Sequence, residues 1–225
     1  MNFAGKRILV VGASGVLGAN LVNQLSQRGA TVVGTASNPD ALSRIPDVAE
    51  TKIVANLLDG SSLEAAVAQL TSGPAIDGVV LAAGRVGFGS AEQTSASDAA
   101  ALMHINYLAQ AWIVTALLPK LRQQPEFLVA AITGVVAEKI FPGMAAYSAS
   151  KAAMSSWIQS LRLELRRQGG LVIEARPGHT ETGLATRPLF GAAPAMPIGM
   201  DPAAVIARIV SAVEAGEHTL TAGEF

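Results

Sequence analysis

The fold is decided by residues 7–36, RILVVGASGVLGANLVNQLSQRGATVVGTA, which alternate an apolar run, a glycine-rich turn, a helical pattern and a second apolar run. Residues 7–11 predict a buried strand that Gly12 ends. Apolar residues then recur at helical spacing over residues 15–28, and a glycine stops this helix. Residues 30–35 predict a second strand. This order indicates a βαβ unit of a parallel sheet.

The same alternation continues along the rest of the chain. Further strands are predicted over residues 51–55, 76–82, 127–132 and 171–175, and helices over residues 61–70, 99–121, 147–168 and 202–215. Ser61 and Glu64 have the spacing of a capping box at the start of a helix. Strands that are apolar throughout are typical of a parallel sheet covered on both faces. We therefore predict one α/β domain over residues 1–225, with a doubly wound parallel sheet in three αβα layers.

Composition excludes several classes of function. The net charge is −1 and the basic residues form no patch, so we expect no nucleic-acid partner. The chain has no cysteine, which excludes disulfides, thiolate catalysis and cysteine-ligated metals. Its three histidines lie far apart without ligand spacing, so we expect no metal site.

No targeting or membrane-spanning segment is expected either. The first residues run directly into the first strand, without the longer apolar run of a signal peptide. No apolar stretch approaches the roughly 20 residues needed to span a bilayer. We therefore expect a cytoplasmic protein without a membrane partner.

Residues 178–200 are the long segment without helical or strand periodicity. The segment is rich in proline and glycine, including Pro188, Pro194 and Pro197. Long structureless segments are uncommon in compact domains and often form lids. We predict a substrate lid here, with an inert surface excursion as the alternative.

The turn after the first strand has a glycine spacing that suits anion binding. Gly12 permits the sharp turn, Gly15 lets the backbone approach a pyrophosphate, and Gly18 lets the helix pack against the sheet. Free N–H groups at the start of the helix would face the anion. A plain strand-to-helix turn is the alternative, because the spacing is G-x-x-G-x-x-G rather than G-x-G-x-x-G. The residues predicted to line the phosphates are Gly12, Ser14, Gly15, Val16, Leu17 and Gly18.

Tyr147 and Lys151 lie four residues apart in a predicted helix and therefore share one face. A nearby cation favours the phenolate and lowers the phenol pKa from its ordinary value of about 10. A tyrosine tuned in this way can exchange a proton with a carbonyl or alcohol oxygen near neutral pH. On spacing alone, a packed ring beside a solvated amine is the alternative.

Five motifs make the chain resemble the short-chain dehydrogenase/reductase family over nearly its whole length. They are GASGVLG at 12–18, LAAG at 81–84, Asn106 in HINYLA, YSASK at 147–151 and PGHTET at 177–182. The resemblance implies a Rossmann-like fold. It also implies an oxidoreductase that transfers a hydride between NADP or NAD and a carbonyl or alcohol substrate.

The resemblance further implies a role for each matched residue. Tyr147 would be the general acid/base, and Lys151 would lower its pKa and hold the nicotinamide ribose hydroxyls. Asn106 would support a water that connects Lys151 to solvent. The other cofactor-binding residues that it implies are Asn56, Leu57, Ala82, Ala83, Gly84, Pro177, Gly178, Thr180 and Thr182.

Gly134 stands where the family has a catalytic serine, thirteen residues before the tyrosine. Loss of one such donor to the substrate oxygen costs a factor of about 10²–10³ in rate. Three accounts stay open: Thr133 supplies a hydroxyl from a shifted strand end, water or a substrate group fills the gap, or turnover is slow or absent. Neighbouring strand residues point to opposite faces, which argues against Thr133.

The end of the second strand bears on the choice of cofactor. It has no acidic residue to bind a ribose 2′-hydroxyl and repel a 2′-phosphate. It has no arginine or lysine either, but Ser37 and Asn38 are able to hydrogen-bond a phosphate. We therefore favour NADP, with NAD as the alternative.

Three functions follow from these features. The leading interpretation is an NAD(P)-dependent oxidoreductase acting on an apolar carbonyl compound or its alcohol. A dinucleotide-binding sensor or partner protein with weak or no catalysis is the alternative that Gly134 favours. An isomerase or lyase with tightly held NAD is the third. Arg85, His179 and Arg187 are candidates for binding an acidic group of a substrate.

The two longest predicted helices have apolar residues on more than one face, including Trp112 and Trp157. An apolar helix face must be covered by something. A symmetric partner is one candidate and core burial within the chain is the other. We predict a homodimer or homotetramer.

Overall fold

The computed structural model describes residues 1–225 and contains a seven-stranded sheet in the order β3-β2-β1-β4-β5-β6-β7. Every neighbouring pair of strands is parallel. The predicted parallel sheet is confirmed. The strands are β1 Arg7–Val11, β2 Thr31–Ala36, β3 Thr51–Val54, β4 Gly78–Leu81, β5 Phe127–Ile132, β6 Gly170–Ala175 and β7 Thr219–Leu220. The sequence pattern missed β7, because two residues are too few for a periodicity.

Helices cover both faces of the sheet, as the three-layer prediction requires. They are α1 Val16–Gln27, α2 Pro39–Leu42, α3 Gly60–Ser72, α4 Ala96–Met103, α5 Ala109–Leu121, α6 Ala145–Leu165 and α7 Pro202–Ala215. Neighbouring residues of a strand belong to different apolar clusters, so that Leu9 packs with α3, α5 and α6 while Ile8 packs with α1 and α7. This alternation buries both faces of each central strand.

Helix starts differ from the sequence prediction at several places, and α6 begins at Ala145 rather than at the predicted Tyr147. The capping box of Ser61 and Glu64 is wrong, because Asp59 caps α3 by accepting hydrogen bonds from the N–H groups of Ser61 and Ser62. The predicted helix over residues 99–121 begins earlier, at Ala96, and is interrupted by a π-helical turn, His104–Leu108. A π turn inserts one extra residue and rotates the following helix face.

The helical stretch Ala96–Leu121 is long and apolar enough, by length and composition, to cross a membrane. The expectation that no such stretch exists is therefore not met. Half of its most apolar part is buried inside the fold, where α4 packs against α6 and α5 packs against α3. A core helix of a globular protein has the same properties.

The sheet order creates a crevice at the carboxyl ends of β1 and β4. From β1 the chain proceeds to β2 and β3 on one side, and then crosses to β4 on the other side. The two connections leave in opposite directions, and ligands of open α/β sheets bind at such a switch point. The glycine turn and the residues after β4 both lie there.

Candidate active site

The glycine turn after β1 is tightly packed inside and open outside. A Cβ at Gly12, whose φ is +84°, would lie 2.7 Å from Cα of Ala83, and a Cβ at Gly18 would lie 2.1 Å from the Gly12 carbonyl oxygen. A Cβ at Gly15 would meet nothing closer than 3.4 Å. No side chain caps the first turn of α1, so its N–H groups are available to an anion. Ser14, Val16 and Leu17 are exposed or half-buried beside this turn.

The backbone after β4 runs between the glycine turn and α6. Ala83 lies against Gly12 on one side. On the other side, a Cβ at Gly84 would lie 3.3 Å from Oδ1 of Asn106 and 3.4 Å from Nζ of Lys151. Ala82 is half-buried at the start of the same stretch. The structure therefore brings together residues of four motifs that are far apart in sequence.

Asn106 lies in the π-helical turn. Its side chain hydrogen-bonds both α6 and the loop that follows β4, residues 82–95, here called the β4 loop. Its Oδ1 accepts from the N–H of Arg85, and its Nδ2 donates to the Arg85 carbonyl oxygen and to Oγ of Ser150, all at 2.9 Å. Ser150 in turn donates to the carbonyl oxygen of Tyr147 at 2.7 Å. The implied role of Asn106 in supporting a water beside Lys151 stays a prediction.

Tyr147 lies in the first turn of α6 and is only 9% exposed. It packs in a small apolar cluster with Val86, Phe88, Leu102 and Val136. Burial raises the pKa of Tyr147 to about 12. The sequence-based expectation that a neighbouring cation lowers this pKa is therefore not met in this structure. At neutral pH the hydroxyl is protonated and can serve as a proton donor.

Lys151 is 6% exposed, one helical turn further along α6. Its Nζ donates to the carbonyl oxygen of Ile132 at 3.0 Å, at the end of β5. Burial lowers the pKa of Lys151 to about 8, because no carboxylate pairs with the ammonium. Lys151 therefore loses its proton at a lower pH than an exposed lysine does.

Gly134 adopts a backbone conformation that only glycine tolerates. Its φ is +86° and its ψ is 164°. A Cβ would still have space, since its nearest neighbour would be the Pro177 carbonyl oxygen at 3.7 Å. The chain therefore excludes a side chain here through backbone strain rather than through a clash.

Thr133 does not replace the missing serine. Its side chain is buried, and its Oγ1 donates to Oε1 of Glu174 at 2.8 Å. Arg176 binds the other carboxylate oxygen at 2.8 Å and also contacts Glu138. Burial alone would raise the pKa of Glu174, but hydrogen bonds from Arg176, Ser155 and Thr133 outweigh it and hold the pKa below its ordinary value. The account that uses Thr133 is therefore corrected, because this hydroxyl already has a partner.

The network around Glu174 was missed by the sequence analysis. The signal was available, since Glu174 is the acid in the otherwise apolar strand GLVIEA. A fully buried carboxylate must find partners, and those partners anchor the end of β5. That strand end holds the carbonyl group bound by Lys151.

Four further residues predicted to bind the cofactor, namely Ser37, Asn38, Asn56 and Leu57, follow the ends of β2 and β3. Ser37 and Asn38 are exposed, and Oδ1 of Asn38 caps α2 by accepting from the N–H of Ala41. Nδ2 of Asn38 donates to Oγ of Ser37 at 3.3 Å, which leaves the Ser37 hydroxyl free to donate. Asn56 is half-buried, and Leu57 is buried in the core.

The PGHTET motif opens a loop that is closed at its base. The Glu181 N–H donates to the Met200 carbonyl oxygen, and the Met200 N–H donates to that of His179. Thr180 and Thr182 make local turn hydrogen bonds through their hydroxyls. Pro177 is buried and Gly178 is half-buried at the entry to this loop.

The tip of this loop is tied to the β4 loop. The Leu189 N–H donates to the Val86 carbonyl oxygen at 2.7 Å, and the Phe88 N–H donates to that of Phe190 at 3.1 Å. The Phe190 ring lies where a side chain at Gly87 would stand, 2.2 Å from an ideal Cβ. Five residues of the loop pack on the cluster that contains Tyr147, namely Leu184, Ala185, Leu189, Phe190 and Ala193. A cleft of about 570 Å³ lies within the loop itself and does not include Tyr147.

These features fit a dinucleotide. The open cradle at Gly15 and the uncapped start of α1 suit a pyrophosphate. The side-chain-free backbone at Gly84 gives a planar group access to the ammonium of Lys151. Between these two points, the adjoining residues Ala82 and Ala83 present only methyl groups.

Comparisons with known proteins agree with this geometry. Residues 6–188 match the family model described as short chain dehydrogenase. The chain is 32% identical over 183 residues to the cyclic-di-GMP-binding biofilm dispersal mediator protein of Escherichia coli, covering 80% of this chain and 75% of that protein. It is 30% identical over 189 residues to the glycine betaine reductase ATRR of Emericella nidulans, of which it covers 15%. It covers 63% of a dehydrogenase/reductase SDR family protein 7-like of Anopheles gambiae, at 30% identity.

Solved structures share the fold. A short-chain dehydrogenase from Sphingobium yanoikuyae in complex with NADPH has a TM-score of 0.87 and 25% identity, covering 96% of this chain and 87% of that one. One from Streptomyces avermitilis has a TM-score of 0.84 and 27% identity, covering 97% and 88%. One from Burkholderia cenocepacia in complex with NADP has a TM-score of 0.85, covering 99% and 90%, and at 23% identity it supports the fold alone.

Substitution of Gly134 tests the strained backbone. We expect Gly134→Ser and Gly134→Ala to lower the free energy of unfolding by about 1–3 kcal/mol, because neither residue tolerates φ near +86°. Gly60→Ser is the matched control, since Gly60 has open space around its Cβ and no positive φ. Urea denaturation measures all three. A Gly134→Ser protein as stable as the wild type would contradict the conformational requirement for glycine.

Lys151→Met tests the burial of the ammonium through the pH dependence of stability. The folded pKa is about 8 and the ordinary value is 10.5, so between them the unfolded chain binds more protons. The cost of burying the charge is full below about pH 8 and disappears as the pH rises to about 10.5. From low to high pH, the wild type should therefore gain on the order of 3 kcal/mol relative to Lys151→Met.

Denaturation at a series of pH values measures this difference. Lys139→Met is the control, because Lys139 is exposed. Parallel pH profiles for the wild type and Lys151→Met would show that the ammonium is not destabilised in the folded state.

Proposed function

The chain belongs to the short-chain dehydrogenase family, and we propose from this that it is an NAD(P)-dependent oxidoreductase interconverting a carbonyl compound and its alcohol. The observation that supports this proposal is the close approach after β4. There the glycine turn adjoins Ala83 while Gly84 adjoins the ammonium of Lys151, one helical turn from Tyr147. A dinucleotide held by the turn thus extends toward the two titratable side chains.

Tyr147 is the proposed general acid/base. When bound, the dinucleotide supplies or accepts a hydride at its nicotinamide ring. In the reductive direction the Tyr147 hydroxyl donates its proton to the substrate oxygen, and in the oxidative direction the phenolate takes a proton from the alcohol. Its raised pKa favours the protonated form, and therefore the donor role, in the closed structure. Lys151 holds ribose hydroxyls and stabilises the phenolate by its charge.

Two of the three accounts of Gly134 remain. In one, a water or a substrate group takes the place of the serine hydroxyl. The open space beside Gly134, where a Cβ would meet no close neighbour, is where this group would lie. In the other, turnover is slow. A missing donor to the developing oxyanion lowers the rate by about 10²–10³. We therefore propose an active enzyme with a modest turnover number.

NADP is the proposed cofactor, with NAD as the alternative. The exposed Ser37 and Asn38 follow β2, where an acidic residue would repel a 2′-phosphate. The related short-chain dehydrogenase from Sphingobium yanoikuyae, at 25% identity, was solved in complex with NADPH. The implied sites at Asn56, Thr180 and Thr182 are part of this proposal.

Residues 178–200 are the proposed lid. The two hydrogen bonds that join Leu189 and Phe190 to the β4 loop hold it over Tyr147. Apolar side chains from both loops enclose the phenol. Substrate entry therefore requires these two hydrogen bonds to open, and the apolar enclosure suits an apolar body for the substrate.

Tyr147→Phe tests the proposed chemistry. We expect kcat/KM for reduction across a panel of ketones and aldehydes to fall by about 10²–10⁴-fold, because the proton donor is lost. The affinity for NADPH should be retained. Oxidation of NADPH followed by absorbance measures the rates. Tyr107→Phe is a matched control, since Tyr107 is the other tyrosine of the chain and packs against the core.

The outcome separates the candidate functions. Wild-type protein that binds NADPH but turns over no member of the panel would favour the dinucleotide-binding protein without catalysis. Loss of activity in Tyr107→Phe as large as in Tyr147→Phe would deny the proposed role of Tyr147.

We also propose a homodimer or homotetramer. Leu108 and Trp112, one helical turn apart, are 48% and 40% exposed, whereas Trp157 packs against the core. Trp112 therefore lacks the cover within the chain that the alternative required. We expect the wild type to sediment as an oligomer and the Trp112→Glu protein to sediment as a monomer in sedimentation velocity. Val48→Glu, at an exposed residue on another part of the surface, should not. A monomeric wild type at micromolar concentration would contradict the proposal.

A further inference from the structure

Arg85 directly follows the LAAG motif, and its backbone is held on both sides. Its N–H donates to Oδ1 of Asn106, and its carbonyl oxygen accepts from Nδ2 of the same side chain. Asn106 also donates to Ser150 on α6, three residues after Tyr147. The root of the Arg85 side chain therefore has a fixed position relative to the helix that carries Tyr147.

The Arg85 guanidinium is half-buried without an anion. Three arginines have a buried Nε that lacks a hydrogen-bond partner, namely Arg7, Arg85 and Arg176. Arg7 and Arg176 bind the carboxylates of Glu50 and Glu174 through their other nitrogens. Arg85 makes no ion pair. A cation that is partly removed from water without a counter-charge is costly, and an anionic ligand would offset that cost.

The contacts that Arg85 does make are weak ones to the lid. Its Nη2 lies 3.4 Å from the carbonyl oxygen of Arg187 and 3.5 Å from that of Pro188. Both distances exceed the usual range for such hydrogen bonds, which ends near about 3.2 Å. The side chain of Arg187 also binds only carbonyl groups of the lid. The acid of the same loop, Glu181, is held by a backbone N–H of that loop and by His179.

The position of this guanidinium connects it to the proposed active site. Val86, the next residue, packs in the cluster that contains Tyr147 and hydrogen-bonds the lid through Leu189. Arg85 therefore lies at the seam between the β4 loop and the lid, at the edge of the enclosure around the phenol. A planar guanidinium with unused N–H groups binds a carboxylate or phosphate through two parallel hydrogen bonds.

We propose that Arg85 binds an anionic oxygen group, a carboxylate or a phosphate, on the substrate whose carbonyl group reaches Tyr147. The anion replaces the long contacts to the Arg187 and Pro188 carbonyl oxygens, and the charge of Arg187 adds to the attraction. The substrate is then an oxo compound with an apolar body and an anionic end. This inference rests on the proposed function for the identity of the reacting group.

Titration calorimetry on the NADP-loaded protein tests the inference directly. The probes are aliphatic oxo acids of increasing chain length, their methyl esters, and the corresponding oxoalkyl phosphates. We expect the wild type to bind an acid or phosphate at least about tenfold more tightly than the ester of equal length, which corresponds to hydrogen bonds with a charged group. In Arg85→Gln the ratio should fall to about one, and Arg85→Lys should retain part of it.

Arg122→Gln is the matched control, because Arg122 is exposed after α5 and makes no ion pair. It should keep the wild-type ratio. Comparison of the acids with the phosphates decides which anion the site prefers.

Three results with the probes would overturn the inference, and a fourth result, in the binding of NADP, would overturn it as well. The three are equal affinities for acid and ester in the wild type, no binding of any anionic probe, and a preference that survives in Arg85→Gln. If Arg85→Gln instead weakens the binding of NADP itself by the same factor, the guanidinium binds a phosphate of the cofactor, and the assignment to substrate is wrong. The readout is binding, so acids held through Arg85 without any turnover would contradict the proposed function alone.

Discussion

The close approach of the backbone at Ala83 and Gly84 is the constraint on which the rest of the site depends. On one side the strand end touches Gly12, where there is no room for a Cβ, and on the other it touches Lys151 and Asn106. The switch point of the sheet puts the ends of β1 and β4 side by side. Glycine on either side of this contact is what brings a phosphate-binding turn and a titratable helix into one crevice.

Burial favours the neutral form of Glu174, Lys151 and Tyr147 alike, and the partners of each group decide whether that effect prevails. Glu174 is fully buried and keeps a low pKa, because hydrogen bonds from Arg176, Ser155 and Thr133 stabilise its ionised form. Lys151 and Tyr147 are buried to a similar depth without an opposite charge, so burial shifts both pKa values toward the neutral form. Glu174 therefore anchors strand ends, whereas Lys151 and Tyr147 are available to a partner that the chain itself does not supply.

The pattern of apolar residues was sufficient for the sheet and for most helices, because burial on both faces leaves continuous apolar strands and amphipathic helices. It failed where a local contact decided the structure. Asp59 rather than Ser61 caps α3, the π-helical turn that contains Asn106 interrupts the predicted helix, and β7 is too short for any pattern. The positive φ of Gly134 was equally hidden, since a missing side chain does not disclose the backbone conformation that excludes it.

The sequence by itself determined the βαβ order, the glycine spacing, and the spacing of Tyr147 and Lys151, because each depends on residues that are neighbours along the chain. Only the tertiary structure decided what surrounds these groups. In the folded chain the Thr133 hydroxyl hydrogen-bonds Glu174, and the Lys151 ammonium hydrogen-bonds a carbonyl group. The Arg85 guanidinium contacts only carbonyl groups and has no counter-charge. Hydrogen-bond partners and burial arise between segments that are distant in sequence, and pKa values follow from those partners rather than from spacing along a helix.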